Sequence, residues 1–137
     1  MRIVADTNIV VSGLLWHGAP RRVLEAARAG TVTLYTSPVL LAELEDVLSR
    51  TKFAERLTKA RVTLHDLVFG YVALTNLVKP EPIAPVILAD PDAAAVLACA
   101  VACKAEAIVS GDSHLLSLKQ YRDIPILTAD SLLARLS

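Results

Sequence analysis

The sequence predicts an α/β fold three layers deep, a sandwich with a central parallel sheet of about five strands between helices. Three observations predict it. Short β-type runs alternate with longer helical patterns along the chain. The apolar fraction is 54% while aromatics make up only 4%, so Ala, Val and Leu must build the core. That is the composition of helices packed on a sheet buried on both faces. No repeat, low-complexity run or Gly/Ser linker interrupts the 137 residues, which suit one domain spanning 1–137.

Taken in order, Arg2 to Ala5 is a short strand ending at Asp6. Pro20 followed by Arg21 to Arg28 reads as a helix, with Pro in its first turn and Gly30 as its stop. Thr33 to Thr36 is a second strand. Ser37 then caps a helix that has Pro38 at its first position and runs to about Ser49. Residues 51–77 form two helices, the second carrying Leu64, Leu67, Val68, Tyr71, Val72 and Leu74. A brief extended piece near Leu77–Lys79 ends at Pro80. Asp92 to Lys104 is a helix, Ala107 to Ser110 a strand, and Asp112 to Leu118 another helix. Ile124 to Leu127 is a last strand, placed at an edge by its Pro125. A final helix is capped by Thr128 or Asp130.

Charge narrows the function classes. Fourteen basic residues balance fourteen acidic ones, so no whole-molecule field draws the chain to nucleic acid or membrane. Any polyanion must be met by a local patch. The uncharged stretch Ala93–Cys103 is too short against the ~20 residues of a spanning helix. Asp6 falls where a signal peptide needs its apolar core, so the expected location is the cytoplasm, with no membrane partner. Cys99 and Cys103 sit in an Ala/Val-rich helical pattern without a nearby His, which suits small core residues rather than a metal site or disulfide.

Parallel strands joined by right-handed crossovers end on one rim, where ligands of open α/β sheets bind. Asp6 directly follows the first strand, and Asp112 follows the Ile108–Ser110 strand by one glycine. Glu43 lies about one and a half turns into the helix after the second strand. Asp90 and Asp92 precede or begin the next long helix. Acids from distant segments thus converge on one rim. Such like charges repel unless a divalent cation holds them ionised. Carboxylate oxygens without His or Cys suit Mg²⁺ or Mn²⁺, ions that activate water at a phosphodiester. Each acid taken alone has a plainer role, Asp112 as a helix cap and Glu43 as part of a solvated helix face.

Asp6-Thr7-Asn8, Ser37-Pro38 with Glu43, and Ser110-Gly111-Asp112 with Leu115-Leu116 together resemble the PIN domain family, in particular its branch of toxins from toxin–antitoxin pairs. The resemblance extends to the closing Ile124–Thr128. It implies a Mg²⁺- or Mn²⁺-dependent endoribonuclease that acts on RNA, forms a homodimer and is held inactive by a cognate antitoxin. By that matching Asp6, Glu43 and Asp112 are metal-binding acids, and Asn8 orients Asp6. Where the family places its third acid this chain has Ala93, followed by Ala94, and Asp92 stands one residue early as the substitute. The family's further acid two residues after Asp112 is replaced by His114.

The remaining candidates are local. Arg50, Lys52, Arg56, Lys59 and Arg61, set against Glu55, form the best RNA-binding patch, with Arg21, Arg22 and Arg28 a second cluster. A solvated face that suits an acidic partner explains the same residues equally well. His114 is a candidate for phosphate contact, and Ser110 supports the acids. Trp16 is expected to be core or an interface anchor rather than a base-stacking platform. Two other functions compete with the nuclease. One is a binding module with the same fold and a site degraded at Ala93 and Ala94. The other is a phosphatase of the haloacid-dehalogenase type, disfavoured because Asn8 stands where a second Asp is needed.

Overall fold

The computed structural model describes residues 1–83 and 91–137; Asp90 lies outside them. The strands are β1 (Arg2–Ala5), β2 (Thr33–Thr36), β3 (Asn76–Leu77), β4 (Ala107–Val109), β5 (Gln120–Tyr121) and β6 (Ile124–Leu127). The helices are α1 (Thr7–Leu15), α2 (Ala19–Arg28), α3 (Pro38–Leu48), α4 (Ala54–Ala60), α5 (Leu64–Leu74), α6 (Pro91–Ala102), α7 (Ser113–Leu118) and α8 (Ala129–Leu136). The sheet order is β3-β2-β1-β4-β6-β5. All its pairings are parallel except β5 on β6.

Alternation along the central strands explains the layering. Ile3 and Ala5 of β1 face the same cluster as Ala107 and Val109 of β4, together with residues of α1, α2 and α8. Val4 and Ile108, one residue out of step, face a second cluster built on Ala93, Val96, Leu97 and Ala100 of α6. Both faces of the sheet are therefore buried, as the composition required. Cys99 and Cys103 are buried free thiols within that second cluster. Burial pushes the Cys99 thiol up to about 12, which leaves it protonated and unreactive at neutral pH.

Three details depart from the expectations. The sheet has six strands rather than about five, because Gln120–Tyr121 folds back antiparallel onto β6. Consequently β6 is interior, not at the edge that Pro125 suggested. The proline is tolerated because pairing with β4 starts only at Ile126, while the Ile126 N–H is taken on the other side by the Lys119 carbonyl. Finally, α1 follows β1 without a loop, although Ile9, Val10 and Val11 are β-branched and carry no helical signal. Tertiary burial overrides that propensity: Ile9, Val10, Val11 and Leu15 all enter the core. Gly13 lets α2 approach closely, since a Cβ there would lie 2.8 Å from Leu24 Cδ1 and 2.9 Å from the Pro20 carbonyl oxygen.

The order β3-β2-β1 on one side and β4-β6-β5 on the other makes β1/β4 the point where the chain reverses direction across the sheet. The carboxyl ends of those two strands carry Asp6 and, past Ser110 and Gly111, Asp112.

Candidate active site

Asp6 is the N-cap of α1. Its backbone N–H donates to the Val109 carbonyl oxygen at 3.0 Å, stitching the ends of β1 and β4 together. Its Oδ1 accepts from the Ile9 N–H at 2.9 Å. Its Oδ2 accepts a short hydrogen bond from the fully buried Ser110 hydroxyl. The same Ser110 oxygen accepts the Asp112 N–H at 2.9 Å. One serine thus ties both acids into a single frame. Asn8, expected to orient Asp6, is exposed at the cleft instead, and that task falls to Ser110 and the Ile9 backbone.

Asp6 is only 6% exposed. Burial raises its pKa above the usual carboxylate range, and the neighbouring Asp112 charge pushes the same way; hydrogen bonds from Ser110, Ile9 and Gly111 offset part of this. A buried carboxylate beside a second one is costly in the metal-free state. Asp112 is the N-cap of α7, its Oδ1 accepting the His114 N–H at 3.1 Å, with His114 Nδ1 at 3.4 Å. Asp112 therefore caps α7 and also lines the same cleft as Asp6.

Asp6, Thr7, Asn8, Glu43, Asp92, Ala93, Val96, Asp112 and Leu115 line one cleft of about 230 Å³. Ser37 starts α3 by accepting the Leu40 N–H at 3.3 Å, and the helix then carries Glu43 to the cleft, its Oε2 shut off from solvent. Asp92 arrives in the first turn of α6 and is exposed. Ala93 beside it is buried and also faces the cleft. All four acids expected from sequence therefore border the same space. Thr7, Val96 and Leu115 are lining residues that sequence reading did not single out as site residues. Thr7 had a signal, since an N-cap Asp places its next residue in the first turn of the helix.

As they stand, no three His, Cys, Asp or Glu side chains among the described residues are arranged to hold a metal ion. The donors fit Mg²⁺ or Mn²⁺ in kind, being all-carboxylate, with Asp6 buried and its pKa raised chiefly by that burial.

The basic patch is divided. Arg50 pairs with Asp46 at 3.6 Å and Lys59 with Glu55 at 3.1 Å. Arg61 closes α4 in a left-handed conformation with φ 57°. Arg56 donates to the Leu15 carbonyl oxygen, and Lys52 lies over the Phe53 ring. In the second cluster Arg21 binds α1 carbonyls and Arg22 stands 3.9 Å from Asp130.

A family profile for the PIN domain matches residues 2–114, from β1 through the Asp112 cap. The chain belongs to the PIN domain family. No curated protein matches the sequence. The PIN domain is a nuclease-type fold, and its match covers every acid of the cleft. Among the described residues, no helix is long and apolar enough to cross a membrane.

Proposed function

We propose that this PIN domain is a metal-dependent endoribonuclease that hydrolyses RNA phosphodiester bonds at Asp6, Glu43, Asp92 and Asp112. One observation carries the reading: carboxylates from four separate segments line a single cleft at the sheet's reversal point. Mg²⁺ or Mn²⁺ held by these acids would activate water and offset charge on the phosphodiester. The chain's own groups prepare for that. Ser110 and the Ile9 N–H fix the direction of both Asp6 oxygens, while Ser110 also holds the Asp112 backbone. Val96 and Leu115 line the same cleft beside the acids. His114, whose Nδ1 lies 3.4 Å from Asp112 Oδ1, would meet a phosphate oxygen on this reading.

The motif order supports a finer assignment to the toxin side of a toxin–antitoxin pair. On this reading the chain works in the cytoplasm as a homodimer with a cognate antitoxin, and Arg50, Lys52, Arg56, Lys59 and Arg61 meet RNA.

Purified protein given single-stranded RNA and Mn²⁺ should cleave it, lose activity with chelator, and fail as Asp6→Asn. Cleavage that survives both treatments refutes the proposal. A second reading is favoured by Ala93, a small buried residue lining the cleft beside Asp92. If the wild type is inert but Ala93→Asp cuts RNA, the chain is a binding module with a degraded site.

A further inference from the structure

The far end of α1 forms a second, chemically distinct surface. Trp16, the C-cap of α1, is 42% exposed and meets Phe53 edge-on, with ring centroids 6.0 Å apart. The Arg56 guanidinium lies 5.6 Å from the Trp16 ring centroid, and Lys52 Nζ lies 5.0 Å over the Phe53 ring. Arg56 reaches the Leu15 carbonyl oxygen through Nε at 2.8 Å and Nη2 at 2.5 Å. Arg21 donates to the carbonyls of Gly13 and Leu14, each at 3.2 Å. Two guanidinium groups are thus fastened at the negative end of this helix, filling its last carbonyls. Among the described residues no carboxylate pairs with Arg21, Lys52 or Arg56.

We propose that this end of α1 is a secondary contact for single-stranded RNA, with a base stacked on Trp16 and adjacent phosphates on Lys52, Arg56 and Arg21. The inference rests on reading the cleft as an RNA-cutting site. Four acids repel a polyanion, and the chain's net charge is zero, so attraction must come from a separate cationic place. α1 joins the two directly: from Asp6 to Trp16 it spans about 15 Å at 1.5 Å per residue, a few nucleotides of strand. Among the exposed large apolar side chains described, Trp16 alone carries a guanidinium on its ring. A nucleotide satisfies both halves of that surface, offering a π face to the indole and a phosphate to the cations. An acidic polypeptide would use the cations and leave the indole idle. Because the arginines are already fixed by backbone carbonyls, little side-chain entropy is lost on binding.

Trp16 is the sole tryptophan, so its emission reads this place directly. In EDTA, oligouridylate should quench it, and an abasic ribose-phosphate oligomer of equal length should quench far less. Trp16→Leu, which keeps apolar cover over Phe53, should weaken oligouridylate binding about 5- to 150-fold, the range of one base–aromatic stack. Lys52→Met should flatten the salt dependence of binding. Oligouridylate that binds with Trp16 emission unchanged overturns the proposal, and so does stronger quenching by poly-glutamate, which would assign the surface to an acidic protein. A chain that cuts RNA with a silent Trp16 fails this inference alone. Quenching in a chain that never cuts supports the contact while removing the nuclease reading.

Discussion

Of the helices that open on an aspartate-containing cap, α1 and α5 carry carboxylates whose pKa values shift in opposite directions. At α5, Thr63 accepts the Asp66 N–H at 3.0 Å while Asp66 accepts the Thr63 N–H at 3.2 Å, a reciprocal capping box in open solvent. Those bonds lower the Asp66 pKa. At α1, Asp6 likewise accepts from backbone and hydroxyl groups, yet burial outweighs those bonds and its pKa rises. The Asp66 cap serves its own helix. The Asp6 cap also serves its helix, but it is kept where ionisation works against folding. Burial separates the two, and hydrogen bonding alone does not.

The comparison can be broken at either end. Asp6→Asn should reduce RNA cleavage by at least the ~10²-fold that losing a group behind a metal ligand costs. Its melting temperature without metal should match or exceed the wild type, because the cap acceptor is kept and the unfavourable charge removed. A large fall in melting temperature would make Asp6 a structural cap like any other. Ser110→Ala removes the group shared by Asp6 and Asp112, and should cost about 1–3 kcal/mol by denaturant titration. It should also lower activity ~10- to 100-fold. Thr63→Ala should cost about 1 kcal/mol of stability and leave cleavage unaltered.

The pH dependence should separate the two caps by sign. Asp6, with its pKa raised, favours the fold below the ordinary carboxylate range of about 4 and loses that contribution as pH climbs through its folded value. Asp66, with its pKa lowered, contributes above that range and loses its effect as pH falls. Metal-free Asp6→Asn should therefore lose a decline in stability toward neutral pH, whereas Asp66→Asn should lose a decline toward acid. The smallest effect is expected at the opposite rim, where Arg2 and Glu106 pair at 3.5 Å with both side chains nearly half exposed. Glu106→Gln should change stability by less than about 1 kcal/mol.

The acids of the cleft were legible in the sequence because each follows a recognisable boundary. Asp6 and Asp112 stand just past β-type runs, and Glu43 stands one and a half turns beyond a Ser-Pro helix start. The framework that holds them was less legible. Nothing in the local pattern gives the Ser110 hydroxyl to Asp6 across 104 residues of chain. Nor does it show that Arg56, prominent in a basic run, spends its guanidinium on a carbonyl 41 residues away.

By itself the sequence determined the layered α/β class, the parallel core of the sheet, and which short polar segments end its strands. Those follow from hydrophobic period and cap chemistry, which act over a few residues. Only the tertiary structure decided that Ile9, Val10 and Val11 are helical, that β6 lies inside the sheet with β5 beyond it, and that Asp6 is buried enough to hold its proton more tightly. Each of these depends on what packs against a segment from elsewhere in the chain, and desolvation and burial are properties of that packing.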